Sequence, residues 1–452
     1  MHDQGIQVLL GTVKKLLRRD ATSNLTKVLT KIHHADIAHL FHYLDAKDQQ
    51  ILFNLISDRE KAADVLSELE WTIGAQLLEQ LNIDVAIAIL HEMADDDSVE
   101  LIRNLPEEFA DSILAAMKNE QSEELEQLLG YDEDTAGGIM STDVFYLEQS
   151  LTVRQAIEAL QDSKDFEMVF YVYVTDEHNH LVGVLSLRQL LTVSPTTLLS
   201  DIMTTEVMRV RTDMDQEVVA EMVAKYNILA IPVVDDKGKL MGLITVDDVI
   251  DVMRQEATED IFMMAGANEE ELMYGNQAIK IARLRLPWLL TTLFGGVVTG
   301  SLMWYYRMTL EQVVALITFI PVITGMGGNV GGQTSTIVVR GFATGRINFS
   351  IIRQVFFKEL RVGLIMGTVC GLVIASVATL WHANVYLGLV VGIAMAIAIS
   401  VAACMGVLAT FFFKRIGIDP AIASSPFVQT VNDITGILIY FSTATIFLTQ
   451  LS

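Results

Sequence analysis

The chain has 452 residues but only two cysteines, Cys370 and Cys404, and both stand in apolar segments. That scarcity excludes a disulfide framework and any Cys-based metal motif; both read as small hydrophobes. Basic residues are also short, 31 Lys and Arg against 56 Asp and Glu. A phosphate backbone is bound by Lys and Arg, so this balance excludes nucleic acid as a partner and points to cations. The deficit is uneven. Residues 1–279 carry 20 basic against 52 acidic side chains, a net charge of −32, whereas residues 280–452 carry 11 against 4, a net charge of +7. No nucleophile–base pair, Walker loop or dense His/Cys site appears, so an enzyme is not expected; His33, His34, His39 and His42 read as exposed residues of one helix. The opening GIQVLLGTVKKLLRR is amphipathic and basic, without the long apolar run and small-residue cleavage site of a signal peptide.

Residues 1–135 read as an acidic helical domain. An Ala-Asp step followed by an apolar run of helical period recurs at Ala35-Asp36, Ala63-Asp64 and Ala110-Asp111, with a related ADDDSVELIRNLP from Ala94. Stacked helical hairpins explain the recurrence, each Asp being expected to cap the helix after it. The cluster Asp95, Asp96, Asp97 and Glu100 demands more, because a like-charge pair at about 4 Å costs about 4 kcal/mol at an effective dielectric of 20. It is a candidate cation site.

Residues 136–255 repeat themselves, 136–200 against 201–255. GIMSTDVFYLEQSLTVRQAIEAL and FYVYVTDEHNHLVGVLSLRQLL are answered by DIMTTEVMRVRTDMDQEVVAEM and LAIPVVDDKGKLMGLITVDDVI, with Met140 matching Met203 and Gly183 matching Gly242. Each half reads as an α/β unit whose hairpin turn is DEHNH or DDKGK, the two halves burying their sheets against each other. The pair resembles tandem cystathionine-β-synthase (CBS) domains, which commonly regulate channels and transporters and often bind adenine nucleotides. In that family a Ser/Thr-x-x-Asp turn often supplies a ribose-binding Asp. The second half keeps Thr245–Asp248, the first has Ser186–Gln189, and Ile228 stands where an aromatic could stack on adenine. These departures weigh against ATP as a ligand.

Asp213, Asp215 and Glu217 lie at a spacing of two, and Asp248, Asp251, Glu256, Glu259 and Asp260 can share a broad face of one helix leaving this module. A solvated acidic face and a cation-sensing face both fit. Only Arg254 interrupts the run, so salt bridges along the helix do not account for it. Residues 256–282 form the connection to the membrane; from Ala257 to Ala282 there is no proline, and Gly266 and Gly275 are the main interruptions of a linking helix.

Five apolar runs of about 20 residues or more follow in 283–452, at 286–306, 313–339, 362–380, 385–413 and 426–451, each long enough to cross a bilayer. Basic residues gather before the first (Lys280, Arg283, Arg285), between the second and third (Arg340, Arg346, Arg353, Lys358, Arg361) and between the fourth and fifth (Lys414, Arg415). These sides are cytoplasmic by the positive-inside rule, with the amino-terminal and CBS parts in the cytoplasm and the carboxyl end outside. The second run, PVITGMGGNVGGQTS, places Pro321, five glycines, Asn329 and Gln333 in the membrane, fitting a helix broken around a wet path or one packed closely through small residues. In the fifth, Gln429, Asp433, Gly436 and Tyr440 share a stripe beside Thr430. A carboxylate in hydrocarbon is costly and normally functional. One carboxylate per chain suits a cation that keeps its water shell, as magnesium does, and a two-fold axis would bring two to one path.

The order of parts, with YDEDTAGGIMSTDV, PVITGMGGNVGGQ and PFVQTVNDITG, resembles the MgtE family of magnesium channels over essentially the whole chain. That resemblance implies a multidomain membrane protein: an α-helical superhelical N domain, α/β tandem CBS domains, a linking or plug helix, and an all-α domain of five spans. It also implies a homodimer in the cell membrane with the ion path at the dimer axis, a pore Mg2+ site at Asp433, and closure by cytosolic Mg2+. The carried-over sensor positions are Asp248, Asp251, Glu256, Glu259 and Asp260, with Asp96, Asp97, Asp215 and Glu217 as further matches. Glu359 and Asp419 support the pore mouth, as Asn329, Gln429 and Thr430 support the path. The expected function is Mg2+ uptake down its electrochemical gradient. Rival readings are a secondary divalent-cation carrier coupled to protons or sodium, and a membrane-anchored metal or nucleotide sensor, although an anchor needs no intramembrane polar groups.

Overall fold

The computed structural model describes residues 3–117, 119–162, 171–268, 271, 277–424 and 426–451. Phe170, expected to open a strand, and Gly275 of the connection lie outside them. The chain divides into two compact units, Met1–Met253 and Arg254–Ser452.

The first unit opens with α1 (Asp3–Leu17), α2 (Thr22–Leu29), α3 (His34–Phe41), α4 (Ala46–Phe53), α5 (Arg59–Ser67), α6 (Trp71–Glu79), α7 (Ile83–Leu90), α8 (Asp95–Arg103), α9 (Glu107–Ala116) and α10 (Asn119–Leu129). Helices two apart pack together, α3 on α5, α5 on α7, α7 on α9, and α4 on α6, α6 on α8, α8 on α10, as stacked hairpins must. Leu25, Ile37, Leu40, Phe41, Leu52 and Leu66 are fully buried in this stack. The helix starts differ from the expected ones: Asp36 lies in the first turn of α3, but Asp64 and Asp111 fall inside α5 and α9, whose starts are set upstream at Asp58 and Pro106. The side-chain caps come instead from His33, Asp45 and Asn82, which accept from Ala35 N, Asp48 N and Asp84 N.

The two α/β halves follow. The first holds β1 (Tyr146–Glu148), α11 (Val153–Asp162), β2 (Tyr171–Thr175), β3 (Leu181–Ser186), α12 (Leu187–Thr192) and α13 (Leu199–Ile202); the second holds β4 (Val210–Arg211), α14 (Gln216–Tyr226), β5 (Ala230–Val234), β6 (Leu240–Thr245) and α15 (Val246–Ala265). The sheets have the same order, β1-β2-β3 and β4-β5-β6, with a parallel then an antiparallel pairing. The hairpin turns use the same chemistry: Asp176 Oδ1 accepts from the N–H of His178 and His180, and Asp235 Oδ1 from those of Lys237 and Lys239. The matched Met and Gly positions pack crosswise. Gly183 lies against Met203, and Gly242 against Met140, where a Cβ would come within 2.9 Å of the methionine Cγ and 2.6 Å of Ser141 O. Val144, Tyr173, Leu181, Ala230, Val234 and Leu243 form the apolar layer shared by the two halves.

The second unit contains α16 (Ala278–Tyr305), α17 (Arg307–Gln312), α18 (Ile320–Ala343), α19 (Ile352–His382), α20 (Val385–Arg415), α21 (Pro426–Ile446) and α22 (Leu448–Leu451), with short 3-10 turns before α18, α19 and α21. Among the described residues four helical stretches, 278–305, 314–343, 349–382 and 385–415, are long and apolar enough to cross a membrane. The expected fifth, α21, has 21 residues, but Gln429, Asn432, Asp433 and its hydroxyl side chains dilute its apolar character. Helix α20 is the hub, packing on α18, α19 and α21. Gly363, Gly367, Gly371, Gly388 and Gly392 let α19 and α20 touch backbone to backbone.

The structure departs from two expectations. The Gly-rich part of the second span is not broken: the stretch passes from a 3-10 turn at 314–319 into α18, and α18 is continuous, because Pro321 falls in its first turn, where the missing N–H is tolerated. The connection is not one helix either. α15 begins at Val246, within the second α/β half, and stops at Ala265, with Gly266 in the left-handed region at φ 68°. Arg353, Lys358 and Arg361, expected in a loop, occupy the first turns of α19.

Candidate functional site

The acids of α8 part company once folded. Asp95 accepts from the Thr142 hydroxyl, and Glu100 pairs with Arg103 at 3.3 Å. Asp96 and Asp97 are left half-buried beside the start of α15, where Asp247, Asp248 and Asp251 are their electrostatic neighbours. Burial pushes the Asp97 carboxyl up to about 7; Asp248, Asp247, Asp251 and Glu68 push it the same way. Asp96 is held well above the carboxylate range by burial, with Asp248, Asp97 and Asp95 adding to it, and its Oδ1 is shut from solvent with no hydrogen-bond partner. Asp248 is raised to about 6, again by burial first, and is pulled back in part by the Thr245 hydroxyl at 2.6 Å and the Thr245 N–H at 2.9 Å.

The Thr245–Asp248 turn is therefore a helix cap. Its counterpart Ser186–Gln189 closes as a capping box: Gln189 N–H donates to Ser186 Oγ at 3.3 Å, and Ser186 N–H donates to Gln189 Oε1 at 2.8 Å. Asp248 thus has two duties, starting α15 and facing α8.

Of the expected sensor residues, the fold brings Asp96, Asp97, Asp248 and Asp251 together. Glu256, Glu259 and Asp260 continue along α15 in the second unit. Asp215 is placed elsewhere, as the cap of α14, where its Oδ1 accepts from Glu217 N at 2.9 Å and Val218 N at 3.3 Å, and Glu217 occupies the first turn. A cavity of about 710 Å³ near Asp215 is lined by Arg103, Tyr131, Glu133, Asp134 and Asp213. Glu68 joins the cluster only through tertiary packing, and no local pattern marks it. The donor set is all carboxylate, which fits a hard divalent cation. Among the described residues no three of His, Cys, Asp and Glu stand close enough to chelate an ion directly.

In the second unit Asp433 lies half-buried on α21, and no hydrogen bond or ion pair to it is formed among the described residues. The stripe expected along α21 grades inward from exposed Gln429, through Asp433, to buried Gly436 and Tyr440, whose hydroxyl donates to Leu316 O at 3.0 Å. α18 meets α21 through its glycines. A Cβ at Gly328 would stand 3.2 Å from Gln429 Cγ, and one at Gly331 would strike the Asn432 amide. Thr430 packs against Gly295 of α16. Close packing through small residues thus accounts for these glycines. Asn329 is exposed on α18. Glu359 is 4% exposed, with Oε1 3.2 Å from Lys358 Nζ. Asp419 is exposed, and its Oδ1 accepts from Ala421 N at 2.7 Å. Sequence reasoning passed over Asn432, 1% exposed with both amide atoms unpartnered, although it stands beside Asp433 in the same motif.

An acidic helical domain, a paired α/β module and a bundle of helices long and apolar enough to cross a membrane make the architecture of a membrane transporter with a cytoplasmic part. Family profiles agree segment by segment: the MgtE intracellular N domain over residues 32–134, CBS domains over 136–195 and 199–255, and the MgtE divalent cation transporter over 320–443. The chain belongs to the MgtE family. It is 36% identical over 448 residues to the magnesium transporter MgtE of Thermus thermophilus, covering 97% of this chain and 98% of the relative. It is 37% identical to that of Enterococcus faecalis, covering 98% of both. The first unit resembles the solved cytosolic domain of the Mg2+ channel MgtE in complex with ATP, at 34% identity and a TM-score of 0.51, covering 54% of this chain and 99% of that one. The soluble part of a magnesium transporter is similar at 32% identity and a TM-score of 0.50, covering 56% and 99%.

Proposed function

We propose that this protein is a magnesium-selective channel that carries Mg2+ into the cell down its electrochemical gradient and is closed by cytosolic Mg2+. Membership of the MgtE family over nearly the full chain supports Mg2+ as the substrate. The observation that carries the conduction reading is Asp433, a half-buried carboxylate on a membrane helix with no protein group hydrogen-bonded to it among the described residues. A lone carboxylate is a poor cage for a stripped ion but accepts well from the water of a hydrated one. Gln429 and Thr430 on the turn before it, and Asn329 on α18, line the same path, and Glu359 and Asp419 support its cytoplasmic mouth. Two chains meeting at a two-fold axis would double these contacts. The amino-terminal and CBS parts face the cytoplasm, and the carboxyl end lies outside.

Regulation rests on the acids of α8 and α15. Ionised, Asp96, Asp97, Asp248 and Asp251 repel one another and loosen the helical domain from the CBS pair. A cation between them, held in part through its own water, removes that cost. Glu256, Glu259 and Asp260 continue the run of acids along α15, and Asp215 and Glu217 offer a weaker contact. One site filled at ten times its dissociation constant favours the closed state by about 1.4 kcal/mol if it binds only that state. Several such sites give a steep response from individually weak binding. ATP is not required by this reading, because Asp248 is tied to Thr245 and faces Asp97.

The test is Mg2+ flux in proteoliposomes. Asp433→Ala abolishes it while the protein stays folded and dimeric by size exclusion; undiminished flux would refute the assignment. Flux that follows the magnesium gradient alone, unchanged by imposed proton or sodium gradients, separates a channel from a coupled carrier.

A further inference from the structure

Asn432 precedes Asp433 on α21 and is 1% exposed. Its side chain enters a slot on α18 formed by Gly327 and Gly331, one turn apart. A Cβ at Gly327 would stand 3.7 Å from Asn432 O and 3.9 Å from its Cβ, whereas one at Gly331 would collide with the amide and press Val428 at 3.1 Å. The slot therefore exists because two glycines leave room for this residue. Yet the amide gains nothing from the protein there: Nδ2 and Oδ1 are both shut from solvent and both lack a hydrogen-bond partner. A buried amide with no partner is costly, more so among apolar helices, and an apolar side chain in such a space would avoid that cost. Packing explains the glycines but not the choice of asparagine.

We infer that Asn432 is a specificity-determining residue of the ion path, its amide exchanging hydrogen bonds with the water surrounding the passing cation beside Asp433. The inference rests on the conducting role proposed for Asp433. Asn432 and Gln429 approach neighbouring glycines of α18, Gly331 and Gly328, so Asn432 and the stripe bearing Asp433 meet the same helix. A small parting of α18 from α21 opens the slot and wets the amide. The amide then offers an acceptor for the polarised water of a hydrated divalent ion and donors for the water beyond it. The carboxylate supplies charge, and the amide adds a directional contact that depends on how tightly the ion holds its water.

The experiment uses the full-length protein in proteoliposomes, with Mg2+ and Ca2+ as the probes and thermal unfolding in detergent measured alongside. Asn432→Leu is expected to stay folded, the removal of the amide's desolvation cost offsetting the bulk of the two methyl groups, yet to lose about tenfold in Mg2+ flux, the equivalent of one hydrogen bond to a polarised partner, and to discriminate less against Ca2+. Asn432→Ser, which keeps a donor and an acceptor, recovers most of the flux and the discrimination. Wild-type flux and discrimination in Asn432→Leu would overturn the inference. So would a parallel loss of unfolding temperature and flux in both variants, the mark of a packing residue. The arm with Asp433→Ala separates the two proposals: if that variant conducts normally, the pore assignment itself fails, whereas its inactivity beside a fully selective Asn432→Leu removes only the role of the amide.

Discussion

Neutralising Asp97 should stabilise the protein when divalent cations are absent. In the folded chain burial, Asp248, Asp247, Asp251 and Glu68 lift its carboxyl from 3.8 to about 7. A folded value above the unfolded one means that the charge opposes folding. The opposition is absent below about pH 4, where the group is protonated in both states, grows as pH rises toward 7, and is complete above it. Shift alone would make it about 4 kcal/mol. Solvent screening at a half-buried position lowers the expected effect to about 2 kcal/mol. Asp97→Asn should therefore raise the melting temperature of the full-length protein at pH 8 in EDTA by about 4–8 °C. The gain shrinks as pH falls toward 5, and saturating Mg2+ should stabilise the variant less than the wild type. Scanning calorimetry or intrinsic fluorescence at pH 5 and pH 8, with and without Mg2+, reads all of this. A variant less stable than wild type at pH 8, or one gaining equally at both pH values, would refute the picture of repelling carboxylates.

Replacing Asp248, Asp251, Glu256 and Glu259 together by their amides should leave Mg2+ flux active at internal Mg2+ concentrations that silence the wild type; unchanged inhibition removes the sensor assignment. Gly331→Ala pushes a methyl into the Asn432 amide and should cost about 1–3 kcal/mol, seen as earlier thermal unfolding in detergent. Lys61 donates to Leu29 O at 2.8 Å, at the end of α2, and to Ile32 O at 2.6 Å, in the loop that follows, so Lys61→Met should lower stability by about 1–3 kcal/mol in chemical denaturation, with no change in ion selectivity.

How much was legible depended on the range of the interaction. The internal repeat, the matching hairpin turns and the apolar runs are local patterns; the fold keeps the first two, and four of the five runs lie in helices long and apolar enough to cross a membrane. The Ala-Asp caps failed at Asp64 and Asp111 because α5 and α9 begin upstream, after Asp58 and Pro106, which leaves both aspartates inside the helices. Pro321 and its glycines read equally as a break or a close contact; the choice turned on Pro321 falling in the first turn of α18 and on α21 lying alongside. The acidic cluster was legible as two separate runs, on α8 and α15. Their meeting, the recruitment of Glu68 and the diversion of Asp95 to Thr142 and Glu100 to Arg103 depend on tertiary packing, which residue spacing does not encode.

The crossed contacts of the α/β pair, Met140 on Gly242 and Met203 on Gly183, bear on how the module is made and inherited. Each half is finished by a segment that precedes the other, so neither repeat is an autonomous building block. A chain cut near residue 200 would leave both glycine clefts bare. Selection can let the two halves diverge in their helix-capping turns, as Ser186–Gln189 and Thr245–Asp248 have, but it must hold the reciprocal Met–Gly fittings together. Such a pair behaves as a dimer within one chain, and exchange of matching segments between two copies is a route by which it could assemble wrongly.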